Sequence, residues 1–390
     1  MKKLKIFILS TDSPSRKLIR AIDSKNHTWE RYSPKELYLI VSDTKNGKDR
    51  LFAEIEGEKP KELFAKDFDA VITRSGGGSD YSLTVLQHLT DNIGLYCPQR
   101  AGSIRIAANK MWTTQKASAA GLNSPVTVFA ENAKNIPFLV SQVDGYPFVL
   151  KTPYGSQGKG VVKMVDEQQA VSTIELLDNQ KVDTLFQAYI PSGGTDYRAI
   201  VVGNNVVCGM QRTAKDGFKS NLSQGGTGVK VELTEANKKF CVDASKAVGL
   251  QFSGVDIMLS NKDGKTYLIE VNSNPGTGII DVCQYNFFND LVELVEQEVE
   301  AKNKKVAITG MTAEALYSEM YYSRNSPESH LSNEMPDREK FVLSEMYRRG
   351  KSTDATVIAP TTSIEEKAVK TIGYVKNPLT EKRNVQYVQE

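Results

Sequence analysis

The stretch that decides the fold is Gly254-Val-Asp-Ile-Met-Leu-Ser260, followed by Asn261-Lys-Asp-Gly264 and then by Lys265-Thr-Tyr-Leu-Ile-Glu-Val-Asn272. In its two outer pieces apolar and polar residues tend to alternate, and β-branched residues are frequent. This pattern predicts the two strands of a hairpin. The connection between them suits a type I turn that ends with Gly264 in the left-handed region. Such a three-residue loop would pair Asn261 with Lys265.

This register predicts one apolar and one acidic face. The apolar face would hold three cross-strand pairs, Val255 with Val271, Ile257 with Ile269, and Leu259 with Tyr267. On the other face Asp256 would lie opposite Glu270, with Asn272 two residues further along. Opposed carboxylates repel each other, so a strand pair tolerates them mainly when a cation lies between them. Oxygen ligands of this kind favour magnesium. The alternatives are an ordinary solvent-facing side or, with a two-residue loop, carboxylates on opposite faces.

Composition indicates a soluble globular chain. It has 390 residues, 40% hydrophobic and 25% charged, enough for two or three domains. Lys and Arg number 49 against 47 Asp and Glu, a net charge of +2 that gives no support for general nucleic-acid binding. The first apolar run is too short for a signal peptide, and no stretch approaches transmembrane length. The cysteines have no metal-ligand spacing, which predicts free thiols in a reducing cytoplasm. The three histidines lie far apart in the sequence, so a histidine metal site is not expected.

Residues 1–100 read as a small α/β domain. We predict strands at 5–10 and 68–74, a helix at 13–24, and a short β-excursion at the surface within 43–66. Arg74, at the end of the second strand, would bind a substrate carboxylate or form a structural salt bridge. The following Ser75-Gly-Gly-Gly-Ser79 lacks the spacing of a dinucleotide site and favours a flexible turn beside a cleft.

The strongest phosphate-binding pattern lies at 146–163. A strand ends in Lys151, the loop Gly155-Ser-Gln-Gly-Lys-Gly160 follows, and a second strand leaves at Val161. Glycines allow backbone amides to approach an anion closely, and Lys151 can neutralise a phosphate beside them. A plain flexible turn is the alternative. Lys110 projects from a helix predicted over 103–120 and is uninformative by itself.

Further strands are predicted at 184–190, 199–202 and 206–212. A glycine-rich loop at 215–228 has the character of a functional lid, which we expect to order over bound ligands. A helix at 234–248 with Thr234 as its N-cap then leads back to the hairpin.

These separated motifs resemble the ATP-grasp superfamily, and within it the RimK-type α-L-glutamate ligases, with bacterial glutathione synthetase more distant. The resemblance is carried by Lys110, Lys151 with its glycine loop, Asp196-Tyr-Arg198, Lys219-Ser-Asn221, Gly254-Val-Asp256 and Glu270-Val-Asn-Ser-Asn-Pro-Gly276. It covers roughly residues 1–300. It implies an α/β ATP-grasp fold with a Rossmann-like N-terminal domain (1–100), a central lid domain (101–190) and a C-terminal domain with the magnesium site (191–302).

The resemblance also implies roles for individual residues. Phosphates of ATP would meet Lys110, Lys151 and the loop residues Gly155, Ser156, Gln157, Gly158 and Gly160. The adenine slot would be lined by Gln187, Ala188, Tyr189 and Ile190, and Asp196 would reach the ribose. Asp256, Glu270 and Asn272 would hold Mg²⁺, with Mn²⁺ as an alternative. Arg198, Arg212, Lys219 and Asn221 would meet the transferring phosphate or the substrate carboxylate. Two positions depart from the family pattern: Ala188 replaces an acidic residue, and Lys219 replaces an arginine.

The implied reaction is carboxylate activation by ATP followed by amide formation through an acyl phosphate, without a covalent enzyme nucleophile. One substrate would be an amino acid such as glutamate and the other a peptide, protein or small molecule. The alternatives are an ATP-grasp enzyme for another metabolite, carrier or nucleobase, and a non-catalytic nucleotide-binding protein whose tail mediates interactions. The tail, 303–390, predicts a mainly helical extension that docks partners or packs on the core, and a homo-oligomer stays open.

Overall fold

The computed structural model describes residues 2–42, 49–75, 79–130, 134–155, 158–215, 217–218, 220 and 225–309. Residues 1–297 form one compact unit, and 298–390 form a second, of which the described part continues a single helix. The predicted helices of the tail lie outside the described residues. No helix in the described ranges combines the length and apolar character needed to cross a membrane.

The N-terminal region is built on parallel strands, as the buried apolar run at its start predicts. Strand β1 lies in the middle, with β2 on one side and β6 on the other. Helix α1 (Arg16–Ser24) connects β1 to β2, and the Ser15 side chain caps its first turn. The strands are β1 (Lys5–Leu9), β2 (Thr28–Tyr32) and β6 (Ala70–Thr73).

A small antiparallel sheet interrupts this arrangement between β2 and β6. Its strands are β3 (Leu37–Ile40), β4 (Arg50–Ala53) and β5 (Lys61–Leu63), with β4 in the middle. The predicted β-excursion is therefore confirmed for its described part, although it begins one strand earlier than expected. The chain returns to the parallel sheet at β6, and helix α2 (Asp80–Gln87) follows.

The helix predicted over 103–120 is two helices, α3 (Ala101–Ala108) and α4 (Lys110–Ala119), so this prediction was wrong. Asn109 breaks the helix because its backbone is extended, with φ −106° and ψ 113°. Its side chain accepts hydrogen bonds from the amides of Met111 and Trp112 at 2.9 and 3.2 Å, which makes it the N-cap of α4. Lys110 consequently occupies the first position of a helix.

Two antiparallel sheets form the rest of the first unit. In the described residues the first has the order β7-β10-β8-β9 and the second β13-β12-β11-β14-β15. The strands are β7 (Thr127–Phe129), β8 (Phe148–Lys151), β9 (Val161–Met164), β10 (Leu185–Ala188), β11 (Thr195–Val202), β12 (Asn205–Thr213), β13 (Thr227–Lys230), β14 (Phe252–Leu259) and β15 (Thr266–Asn272). The remaining helices are α5 (Ile136–Ser141), α6 (Glu167–Asn179), α7 (Glu235–Ala247), α8 (Gly278–Cys283) and α9 (Phe288–Thr309).

Each of these sheets has its own apolar core. Phe148 and Phe186 stack in the first, with ring centroids 5.4 Å apart. Val255, Ile257 and Val271 lie in the second, where α7 packs against the sheet. Thr234 caps α7 as predicted, because its side chain accepts a hydrogen bond from the amide of Asn237. Apolar burial of this kind is the main favourable term in folding.

The decisive hairpin is formed by β14 and β15, and its acidic pair is confirmed. Asp256 lies opposite Glu270, and Val255 lies opposite Val271. The loop is longer than predicted, because Ser260 rather than Asn261 pairs with Lys265, and Ser260 N donates to Lys265 O at 3.0 Å. Asn261 N instead donates to the carbonyl of Pro191 at 2.8 Å.

A β-bulge compensates for the longer loop. Between the loop and the bulge the register is shifted by one residue, so the predicted pairs of Ile257 with Ile269 and Leu259 with Tyr267 were wrong. The observed pairs are Ile257 with Leu268, Met258 with Tyr267 and Leu259 with Thr266. The bulge between Asp256 and Ile257 restores the predicted register at the carboxylates. Gly264 has φ +69°, the left-handed conformation that its position predicted.

The four cysteines, Cys97, Cys208, Cys241 and Cys283, are free and buried, which confirms the prediction of free thiols.

Candidate active site

A cleft of about 930 Å³, partly open to solvent, lies between the two antiparallel sheets. Most of the predicted site residues line it. From the predicted set, the lining includes Lys110, Lys151, Gly155, Gly158, Gln187, Ala188, Tyr189, Ile190, Asp196, Arg212, Asp256 and Glu270. Ser156, Gln157, Lys219 and Asn221 lie outside the described residues.

Strand order places a row of charges across the floor of the cleft. Strand β14 lies between β11 and β15, so Asp256 has Arg198 on one side and Glu270 on the other. On the next strand pair, Asp196 of β11 lies opposite Arg212 of β12. Cross-strand neighbours of this type meet directly on one face of a sheet.

Four of these side chains form a network that we call the paired tetrad: Asp196, Arg198, Arg212 and Asp256. Arg198 donates to both oxygens of Asp256, from Nε at 2.7 Å and from Nη2 at 2.6 Å. Arg212 donates in the same way to Asp196 at 2.7 and 2.5 Å, and its Nη2 also lies 2.9 Å from Oδ2 of Asp256. Two-point contacts of this kind fix both partners in orientation.

The tetrad determines the ionisation of its carboxylates. Burial favours the neutral form of Asp256, but the charges of Arg198 and Arg212 outweigh it and hold the pKa at about 2. Burial has the larger effect at Asp196 and raises its pKa in spite of Arg212. The pKa of Arg212 is raised because the two carboxylates outweigh its own desolvation.

Glu270 stands apart from the tetrad. Among the described residues, no side chain forms a hydrogen bond or ion pair with its carboxylate. Burial, together with the charge of Asp256, raises the pKa of Glu270. Asn272, two residues along β15, has a buried Nδ2 without a partner in the described part of the chain. Glu270 therefore has unused acceptor capacity, and Asn272 has an unused hydrogen-bond donor.

Asp256, Glu270 and Asn272 fit a magnesium ion by the chemistry of their donors. They offer carboxylate and amide oxygens, the ligands that Mg²⁺ prefers, and Glu270, which has no ion-pair partner in the described residues, would gain from a cation. Within the described residues no cluster of three or more His, Cys, Asp or Glu is placed to hold a metal, and this set has two carboxylates and one amide.

Two lysines also line the cleft, Lys151 from β8 and Lys110 from α4. Lys151, only 8% exposed, donates from Nζ to Oε1 of Gln187 at 2.5 Å. Lys110 donates from Nζ to the carbonyl of Gly155 at 3.1 Å, and its backbone amide is bound to the carbonyl of Pro153. Burial lowers the pKa of Lys151 to about 8 and also lowers that of Lys110. Neither ammonium has a carboxylate partner within hydrogen-bonding distance in the described residues, so both are available to an anion.

The glycine loop begins directly after Lys151. Gly155, Gly158 and Gly160 all have positive φ, which favours glycine at these positions. A side chain at Gly160 would also collide with Thr152, because a Cβ there would overlap Oγ1. The loop is thus shaped by its glycines, as the sequence predicts for a segment that approaches a phosphate.

The remaining wall of the cleft is mainly apolar, and the sequence predicts only part of it. Ala188, Tyr189 and Ile190 were predicted to line it and do so. Met258 and Ile269 were missed, because the predicted register placed Ile269 on the apolar core face. Val149, Val161, Phe218 and Ser220 also line the cleft and were not predicted. Alternation along β8 and β9 was the available signal for the two valines.

Arg74 is not among the residues that line the cleft. It lies at the carboxyl end of β6, donates from Nη2 to the carbonyl of Pro275 at 2.9 Å and stacks over the ring of Phe288 at 5.4 Å. Within the described residues it forms no salt bridge, so that alternative finds no support there. Burial lowers its pKa to about 10.

Comparison with known proteins agrees with this geometry. Residues 107–295 match the RimK-like ATP-grasp domain. The chain is 33% identical to the probable alpha-L-glutamate ligase 1 of Shewanella sp. (strain ANA-3) over 297 residues, which are 75% of this chain and 95% of that protein. It is 35% identical over 237 residues to the probable alpha-L-glutamate ligase of Legionella pneumophila (strain Corby), covering 60% of this chain and 78% of the relative. Among solved structures, the ATP-grasp ligase PsnB complexed with a phosphomimetic variant of its minimal precursor, Mg and ADP has a similar fold, with a TM-score of 0.58 at 15% identity over 75% of this chain and 98% of that one.

Proposed function

The chain belongs to the RimK-like ATP-grasp family, as its separated motifs predict, and we propose that it adds an amino acid such as glutamate to a carboxylate of a peptide, protein or small-molecule acceptor. The chain has the ATP-grasp fold and is an ADP-forming carbon–nitrogen ligase that uses ATP and Mg²⁺. Glutamate is proposed because two relatives, matched by this chain over most of their own length, are named probable alpha-L-glutamate ligases.

One observation carries the proposal: Lys110, Lys151 and Glu270 share a cleft in which none of them has a partner of opposite charge within hydrogen-bonding distance among the described residues. Lys151 is buried and the other two are half-buried, and charges that are partly or fully removed from water without an ion-pair partner are costly. Such charges are typical of sites where a ligand supplies the opposite charge. ATP with its magnesium would supply charges of both signs. The negative phosphates would contact the two lysines, and the cation would contact Glu270.

In our proposal the two lysines and the glycine loop bind the phosphates. Lys151 is held by Gln187, and Lys110 by the carbonyl of Gly155, so both ammonium groups are positioned before the nucleotide arrives. The amides of Gly155, Ser156, Gln157, Gly158 and Gly160 add donors to the same anion. Asp256, Glu270 and Asn272 would hold Mg²⁺, with Mn²⁺ as a substitute. When bound, the ion neutralises charge on the transferring phosphoryl group.

The base and ribose would occupy the other end of the cleft. Gln187, Ala188, Tyr189 and Ile190 line the adenine slot in this proposal, joined by Met258 and Ile269 as apolar contacts. The proposed ribose contact is Asp196, although both its oxygens accept hydrogen bonds from Arg212 in this structure. A ribose hydroxyl donates to a second lone pair on one of these oxygens.

The proposed reaction has two steps, phosphoryl transfer and amide formation. An oxygen of the acceptor carboxylate attacks the γ-phosphorus of ATP, and ADP leaves to give an acyl phosphate. The amine then attacks the acyl carbon, the carbon–oxygen bond to phosphate breaks, and the amine loses a proton as phosphate leaves. Arg198, Arg212, Lys219 and Asn221 are the proposed stabilisers of the negative charge in these steps. Arg198 and Arg212 are already oriented by their carboxylate partners.

The proposal also includes a role for Arg74, a cellular location and an oligomeric state. Arg74 would bind a substrate carboxylate. The four free thiols support a cytoplasmic location. A homo-oligomer is compatible with the proposal and is not required by it.

The test is a product screen. The purified full chain is incubated with ATP, Mg²⁺, each proteinogenic amino acid in turn and a set of peptide acceptors, and ADP release and product mass are both recorded. The proposal expects ADP release that depends on acceptor and amino acid together, with a product heavier by one glutamyl residue. An amide product with a different amino acid would retain the ligase and replace its substrate, whereas ADP release with no amide under any condition would refute the proposal.

A further inference from the structure

Buried polar atoms without partners cluster at one place beside the proposed metal site. In the described part of the chain such atoms are Nε of Arg31, Nη1 of Arg74, Nε2 of His88, Oε1 of Gln99, Nδ2 of Asn272 and Oδ1 of Asn274. Four of these six belong to the segment Asn272–Asn274 or to side chains that contact it and the adjacent Pro275. A buried donor or acceptor left unpaired costs free energy, so a concentration of them calls for an explanation.

Hydrogen bonds gather three of these side chains around the same short segment. Arg74 donates to the carbonyl of Pro275, and Asn274 donates from Nδ2 to the carbonyl of Arg74 at 2.7 Å. Gln99 donates from Nε2 to the carbonyl of Ser273. The side chains therefore meet at the carboxyl end of β6, immediately after the end of β15.

The same bonds determine which amide atoms remain unpaired. A backbone carbonyl only accepts, so the amide nitrogens of Gln99 and Asn274 must face it, and their oxygens must be the free atoms. The cluster thus offers one cationic donor, on Arg74, and two acceptors, on Gln99 and Asn274. This is the complement of a molecule that carries a carboxylate and an ammonium group together.

We propose that Arg74, Gln99 and Asn274 bind the free amino acid substrate, with Arg74 donating to its α-carboxylate and the two amide oxygens accepting from its amino group. The inference rests on the proposed function and deepens it by assigning the amine-bearing substrate to a definite place. Asn274 lies two residues beyond Asn272 of the proposed metal set, which would bring the amine close to the activated carboxylate. No acidic side chain among the described residues forms an ion pair with Arg74, so its charge is available to this carboxylate.

The competing explanation is that internal water satisfies these atoms and that Arg74 only packs on Phe288. The two accounts differ in stability as well as in kinetics. An unpaired buried guanidinium that serves a ligand destabilises the free protein, so Arg74→Met should leave the melting temperature unchanged or raise it. A packing or water-binding role predicts a lower melting temperature in the same variant.

Three nucleophiles test the assignment on the full chain: the amino acid that the product screen identifies, the amine that corresponds to it without its α-carboxylate, and hydroxylamine. Hydroxylamine captures the acyl phosphate without needing an amino acid site. The wild type should prefer the amino acid over the decarboxylated amine by roughly a hundredfold in kcat/KM, because a missing charged contact leaves Arg74 unpaired. In Arg74→Met this preference should fall to near unity, while hydroxamate formation and the KM for ATP stay unchanged.

Control variants keep the result interpretable. Arg100→Met removes an exposed arginine nearby and should behave as wild type. Should Arg74→Met fail to fold, Arg74→Lys decides, with an expected rise in KM for the amino acid and none for the decarboxylated amine. A uniform loss in all three reactions, or an undiminished preference in either Arg74 variant, would overturn this assignment. Failure of the wild type to form either amide or hydroxamate would instead overturn the proposed function, and this inference with it.

Discussion

The charges of the cleft fall into two groups that differ in their partners. In the paired tetrad every charged group contacts its counterpart at 2.5 to 2.9 Å. Lys110, Lys151 and Glu270, in the same cleft, have no such counterpart within the described residues. A buried ion pair keeps its geometry without help, whereas an unpaired charge is a cost that the folded protein carries. The difference supports the proposal that the tetrad holds the geometry of the site and that the unpaired group gains most from a bound ligand.

The largest effect should come from removing the unpaired carboxylate. Glu270→Gln keeps the shape but deletes a metal charge, so turnover should fall by more than about 100-fold. The melting temperature should not fall, because the variant loses a half-buried carboxylate that has no ion-pair partner in the described residues. ADP release and thermal unfolding measure the two quantities, and Glu175→Gln, on the exposed face of α6, is the control. Near-normal turnover at saturating magnesium would contradict the metal assignment.

Substitutions in the paired tetrad should instead lower the stability of the folded protein. Arg212→Met leaves Asp196 buried without its partner and should lower the free energy of unfolding by roughly 3–5 kcal/mol. Arg198→Met should cost less, because Asp256 keeps its contact with Arg212. Urea unfolding without nucleotide or metal provides the comparison. If the wild type, Arg212→Met and Arg198→Met unfold at the same urea concentration, the distinction between paired and unpaired charges is wrong.

A smaller effect is expected from the buried lysine. Lys151→Met removes a charge-assisted contact to the phosphates, worth about 1.5–3 kcal/mol, and should weaken ATP binding by roughly 10- to 100-fold. Lys116→Met, on an exposed position of α4, should leave affinity unchanged. Calorimetric titration with ATP and magnesium measures both. Unaltered ATP affinity in Lys151→Met would mean that this lysine does not bind the phosphates.

The smallest effect is a pH dependence. Burial lowers the pKa of Lys151 to about 8, so in the free protein the ammonium is lost as pH rises through about 8. ATP affinity should therefore be level below that pH and decline above it, with the decline absent in Lys151→Met. The sign for stability is opposite, because the folded pKa lies below the unfolded value. This lysine should make the free energy of unfolding increase between about pH 8 and its ordinary 10.5. A level affinity profile in the wild type would contradict the shift.

The sequence predicts the acidic pair but not what surrounds it. Alternation along the hairpin was enough to place Asp256 opposite Glu270, even though the loop length was wrong, because the bulge returned the strand to the same register. The longer loop that the bulge offsets includes Asn261, whose amide is bound to the carbonyl of the distant Pro191, a contact that no local pattern reveals. For the same reason Ile269 was assigned to the core although it lines the cleft.

Strand order sets a second limit on prediction. The pairs of Arg198 with Asp256 and Arg212 with Asp196 follow from β11 lying between β12 and β14, which alternation within single strands does not predict. The break at Asn109 was predictable in principle, because an asparagine whose side chain caps the next amides is a standard helix start. The division of the chain into four segments, with boundaries near residues 100, 190 and 302, remains a prediction, as do the roles of Lys219 and Asn221.

The central claim, that a carboxylate is activated by phosphoryl transfer, can be tested by isotope transfer. The acceptor is prepared with heavy oxygen in its carboxylate, the full chain turns it over with ATP, magnesium and the amino acid, and the released phosphate is analysed by mass spectrometry. An acyl phosphate intermediate predicts that one heavy oxygen passes from the carboxylate to phosphate for each amide formed. Amide formation with unlabelled phosphate would contradict the account.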